Sequence, residues 1–208
     1  MTIDEELGGD ASDVARRLDG VAAALRSHNI DAIVVGTGDE ARRAVLRLIP
    51  ANAEVHMGKS KTLEEIGLYS DLVDSGRYDA VRLRMFAMDR ETQGREIRKL
   101  VAAPDFMLGS VAAVTEDGAL VAASATGSQL GPYAAGAGRL VLVVGSQKIV
   151  PDLEAALRRA REVVLPWENA QVRERMGVDT ALEKILVIYG EWRAGRTTVV
   201  LVREPVGV

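Results

Sequence analysis

Apolar residues in this chain fall into two rhythms, one-sided stripes and short solid runs. Val14, Leu18, Val21 and Leu25 recur at steps of three and four, which predicts a helix over 12–28 with Ser12 or Asp13 as its N-cap. Asp31-Ala-Ile-Val-Val35 is a solid run bounded by Gly36-Thr37-Gly38, the pattern of a buried strand. The stripe returns over 39–49 and Pro50 stops it. A second strand is predicted over 53–57, one or two short helices from Thr62, a third strand over 78–83 and another helix over 91–102.

The middle of the chain carries the strongest local signal. Residues 109–129 read as two short apolar strands around Asp117-Gly118, a dipeptide suited to a type I′ turn with φ > 0 at both central positions. Residues 139–144 form the clearest buried strand, and Pro151 marks the start of a helix. A polar helical piece follows Pro166, and two final strands are predicted over 184–189 and 197–202. Strands alternating with helices predict an α/β fold: a mixed, mainly parallel sheet with helices on both faces. The late strands are expected to add an antiparallel portion.

Length and composition narrow the reading. The 208 residues suit one domain over 1–208, with 1–10 expected to be a flexible tail, and show no repeat or linker. The net charge of −4, with both signs interspersed, offers no basic face for nucleic acid or an anionic membrane. No cysteine is present, so no metal site, disulfide or protein-held iron–sulfur cofactor can be built from thiolates, and two histidines make a histidine metal site improbable. The acidic start lacks a signal-peptide pattern and no apolar run is long enough to span a bilayer, so a cytoplasmic location is expected.

Candidate chemistry gathers in small-residue loops after apolar strands. These are Gly36-Thr37-Gly38, Gly58-Lys59-Ser60, Thr126-Gly127-Ser128-Gln129 and Gly145-Ser146-Gln147-Lys148. In open α/β sheets ligands collect at the carboxyl ends of strands, so these loops are expected to converge on a phosphate or carboxylate. The first loop lacks the full dinucleotide fingerprint and also reads as a tight strand-to-helix turn. The second lacks Walker spacing, and Lys59 also reads as a surface lysine. His56 is a candidate general acid/base, set against an ordinary hydrogen-bonded strand residue. Glu116 is a second catalytic candidate, set against a solvated turn residue, and Trp167 and Trp192 read as packing anchors.

Four segments resemble the LUD domain family, that of lactate utilisation protein C. They are Gly58-Lys-Ser-Lys-Thr-Leu-Glu-Glu-Ile-Gly67, Ser110-Val-Ala-Ala-Val-Thr-Glu-Asp-Gly-Ala-Leu-Val121, Thr126-Gly-Ser-Gln129 and Lys148-Ile-Val-Pro-Asp-Leu-Glu-Ala-Ala156. The resemblance implies a NagB/RpiA/CoA transferase-like fold, shared with ribose phosphate isomerase and glucosamine phosphate deaminase. It also implies an accessory role in lactate oxidation beside iron–sulfur partner proteins. This chain departs from relatives that carry a cysteine cluster, and from the isomerases' Asp-Gly-Ala-Asp-Glu motif. Thr115-Glu116-Asp117-Gly118 is similar to the glutamate turn of the CoA transferases.

Three functions follow as expectations. The first is an accessory protein binding a small anionic metabolite at 36–38, 58–60 and 126–129 without a cofactor. The second is an isomerase or CoA transferase-type enzyme using His56, Lys59 and Glu116, which requires Glu116 to face the cleft of 126–129. The third is a docking subunit or homodimer, with 130–138 as a close-packing surface.

Overall fold

The computed structural model describes residues 11–208, so the expected tail lies outside the described residues. Helix α1 (Ala11–Ser27) leads into strand β1 (Asp31–Val35), α2 (Gly38–Leu48), β2 (Glu54–Met57) and α3 (Lys61–Glu65). A π-helical turn, the two-residue strand β3 (Asp79–Ala80), α4 (Val81–Phe86), α5 (Gly94–Ala102) and β4 (Phe106–Gly109) follow. The hairpin β5 (Ala113–Thr115) and β6 (Leu120–Ser124) precedes β7 (Arg139–Gly145) and β8 (Ile149–Val150). Then come α6 (Leu153–Arg159), a π-helical turn, α7 (Leu165–Met176), β9 (Lys184–Ile188) and β10 (Thr197–Val202).

Six strands form a wholly parallel sheet in the order β1-β10-β7-β4-β2-β3. Its central strands are apolar at every inward position because both faces are covered. Leu140, Leu142 and Val144 of β7 pack with Leu18, Val21 and Leu25 of α1 on one face. Val141 and Val143 pack with Ala41, Ala44 and Val45 of α2 on the other. This period-two division is the reason a solid apolar run reads as a buried strand.

The second sheet, β8-β5-β6-β9, mixes parallel and antiparallel pairs. Val114, Leu120 and Ala122 join the α1 side of the core, while Ala113 and Val121 pack against Ala155 and Ala156 of α6. The fold is therefore a mixed, mainly parallel α/β structure with helices on both faces, as the alternation predicts. Among the described residues no helix is long and apolar enough to cross a membrane.

Several local expectations need correction. The hairpin exists, but its turn is not type I′, because only Gly118 has positive φ (+90°) and Asp117 does not. Gly118 N–H donates to Thr115 O at 2.9 Å and Thr115 N–H to Ala119 O at 3.0 Å, the pattern of a type I turn closed by a left-handed glycine. The predicted strand over 78–83 pairs only at Asp79 and Ala80 before turning helical. Arg84 on α4 reaches Glu54 and Asp79, each at 2.6 Å, at this edge of the sheet. Strands β9 and β10 are not a hairpin: β9 pairs antiparallel with β6, while β10 inserts between β1 and β7.

Candidate functional site

A cavity of about 430 Å³, ordinary for a metabolite site, opens at the carboxyl ends of β2, β4 and β6. The loop after β2 supplies Gly58 to Thr62, the end of β4 supplies Gly109 and Ser110, and the loop after β6 supplies Thr126, Ser128 and Gln129. Helix α7 and the segment before β9 form the opposite wall through Trp167, Glu168, Met176 and Leu182.

Close backbone approach brings two of the expected loops together. A Cβ on Gly58 would lie 3.0 Å from Gln129 Oε1. Gly127 takes φ +80°, and its N–H is held by Ser124 Oγ at 2.9 Å. Gln129 donates from Nε2 to Ala123 O at 3.3 Å, which folds the loop back on its own strand. Ser60 caps α3, accepting from Leu63 N at 3.4 Å.

The cavity's charged lining is lopsided: Lys59, Lys61 and Lys148 against Glu168. Lys59 Nζ makes no hydrogen bond within the described residues; it stands 3.9 Å from Glu168 Oε2 and 5.5 Å from the Trp167 ring. Trp167 is thus part of the cavity wall, whereas Trp192 is 92% exposed and anchors nothing.

Lys148 closes the fourth of the small-residue loops, 145–148, and its burial is what the sequence did not show. It lies on a single turn after β7, only 3% exposed, and its Nζ donates to Thr62 Oγ1 at 2.8 Å and Ser110 Oγ at 3.0 Å. Burial, reinforced by the positive charge of Arg159, pulls its pKa down to about 7, and Glu65 opposes that only in part. Arg159 is itself buried and binds the carbonyls of Ala112 (2.6 Å) and Gln147 (3.3 Å), tying together the two turns beneath the cavity. Tyr133 completes this floor: its hydroxyl donates to Ser110 O at 3.2 Å, and burial pushes the phenol above its ordinary range. The signal for Lys148 was its position, a cation wedged between the run 139–145 and Ile149-Val150.

Other candidates lie elsewhere. Of the loop 36–38, Gly36 lines a separate depression with Glu40, Arg43, Arg47 and Arg203. The loop's N–H groups are already engaged, Gly36 by Glu40 Oε2 at 2.7 Å and Gly38 by Glu204 Oε2 at 2.9 Å, while Thr37 caps α2. His56 points away from Val55 and Met57 and does not line the cavity. Burial, with Arg82 second, lowers its pKa to about 4, so it is a neutral imidazole at pH 7. Glu116 sits on the hairpin turn, half exposed, bound to Arg17 at 2.7 Å, and it too is outside the cavity.

Among curated proteins no sequence matches the chain. Among solved structures, the chain is similar to a crystal structure of a DUF162 family protein from Deinococcus radiodurans. That similarity has a TM-score of 0.49 at 13% identity and covers 93% of this chain and 98% of that one. The sequence model of the LUD domain matches residues 18–202, nearly the whole described chain, and the protein belongs to the LUD domain family.

Proposed function

We propose that this LUD-domain protein binds a small anionic metabolite in the cavity beneath α7, as an accessory to the use of lactate or a related carboxylate. The observation that carries the reading is the charged lining: Lys59 and Lys61, with the Lys148 amine in the same wall, against the one glutamate Glu168, in a protein whose net charge is −4. Hydroxyls of Ser60, Thr62 and Ser128 add the donors an oxyanion needs. Family membership supports the link to carboxylate utilisation; in this reading iron–sulfur partner proteins would supply a redox centre that no cysteine of this chain provides. The enzyme reading built on His56 and Glu116 is less favoured, because both groups stand outside this cavity.

Thermal unfolding against a panel of monocarboxylates, sugar phosphates and CoA esters tests this. A ligand at about 100 times its dissociation constant adds about 2.7 kcal/mol of stability. We expect a shift with at least one anion, lost in Lys59→Ala/Lys61→Ala. A panel with no shift, or a shift indifferent to those lysines, overturns the proposal.

A further inference from the structure

Lys148 is the most buried charged residue lining the cavity, and its surroundings suit an amine better than an ammonium. A neutral amine has two N–H donors and one lone pair. Thr62 Oγ1 and Ser110 Oγ receive two donors, at 2.8 and 3.0 Å. Among the described residues no carboxylate forms an ion pair with Nζ, so a third proton would have no charged partner. The charged groups facing it are Arg159 from α6, which opposes protonation, and Glu65 from α3, which favours it, the first outweighing the second. Lys59 and Lys61 line the same cavity and add positive charge without accepting a hydrogen bond.

We propose that Lys148 is an amine nucleophile that captures small oxo-carboxylates as an imine, with Lys59 and Lys61 holding the carboxylate. This rests on the anion-binding reading of the same cavity and adds a substrate class and a reacting atom. The Nζ lone pair adds to the ketone or aldehyde carbon, the C–N bond forms, and the carbonyl π pair moves onto oxygen. One proton lost from nitrogen passes through the Thr62 hydroxyl to that oxygen, giving a carbinolamine. The second nitrogen proton follows the same route to the new hydroxyl, which leaves as water as the nitrogen lone pair forms C=N. No oxidation state changes, and hydrolysis returns the oxo acid.

Borohydride trapping of the full chain with pyruvate or glyoxylate, read by peptide mass spectrometry, tests the step. At pH 7 an amine with pKa about 7 is about half neutral, about a thousandfold more than an ordinary lysine. The reduced adduct is therefore expected at Lys148 and not at the exposed Lys99 and Lys184, and it is absent from Lys148→Arg. If an oxo acid shifts the melting temperature but Lys148 carries no adduct, or the lysines label evenly, the imine is overturned and anion binding stands. If neither shift nor adduct appears, both readings fall. Should Lys148→Arg not fold, the wild-type map, with Lys99 and Lys184 as internal controls, decides alone.

Discussion

Gly109 ends β4 directly against Tyr133: a Cβ at Gly109 would lie 1.6 Å from the phenolic oxygen and 2.7 Å from Cζ. Only the missing side chain lets the ring cross the strand end and donate to Ser110 O. Gly109→Ala is expected to displace the ring and to cost about 1–3 kcal/mol or more, as overpacked cores do. The cost should shrink in Gly109→Ala/Tyr133→Leu, where the displaced atoms are gone. Urea midpoints of the two singles and the double measure that coupling, and simple additivity would contradict it.

Glu116 and Arg17 make a bond of 2.7 Å at side-chain exposures of 50% and 28%. Solvent screens such a pair, so a double-mutant cycle on Glu116→Gln and Arg17→Met should yield a coupling below about 1 kcal/mol. Arg17→Met alone should cost more than Glu116→Gln, because Arg17 also donates to Ile149 O at 3.2 Å. Ligand-induced melting shifts should be the same in Glu116→Gln as in wild type. Loss of the shift would return Glu116 to the functional site.

Sequence pattern carried the layered architecture because β7 and β10 are apolar on both faces, and no other element type suits such short solid runs. It missed β4, whose Phe106-Met-Leu-Gly109 is only four residues long and follows Pro104 without a turn signal of its own. The apolar pattern misled at 81–83, where the chain turns helical with Val81 buried and Leu83 exposed. For the site, the small-residue loops 58–60 and 126–129 at strand ends line one cavity. They could not show that the N–H groups of 36–38 meet carboxylates 4 and 166 residues away, or that Lys148 is buried. Those facts depend on partners distant in sequence.

His56 makes the acid limb of stability predictable. Its pKa is about 4 in the folded chain against 6.5 ordinarily, so between those values the unfolded chain binds more protons. Stability from this group is present above pH 6.5 and is lost as pH falls toward 4. At about 1.4 kcal/mol per unit, the loss is no more than about 3.5 kcal/mol. His56→Gln should flatten the stability profile across this window when unfolding is compared at pH 7 and 4.5. An unchanged slope would mean the imidazole ionises normally.

Lys148 acts over the opposite range. Its folded pKa of about 7 lies below the ordinary 10.5, so the unfolded chain binds more protons between those values and stability rises with pH across them. The burden of burying this group is fully present below pH 7, up to about 5 kcal/mol by the same conversion. Lys148→Met removes it, at the cost of two hydrogen bonds to Thr62 and Ser110, while Ser110 keeps its bond to Val143 O at 2.7 Å. The variant's stability relative to wild type should thus be greatest near pH 6 and decline steadily toward pH 10. Arg159→Met removes a charge that opposes protonation of Lys148, so in that background the decline should begin at higher pH. Denaturant unfolding of the single and double variants at pH 6, 8 and 10 reads both effects. A difference that stays constant with pH would show that Lys148 is an ordinary ammonium, and the cavity would then present three fixed cations instead of two and an amine.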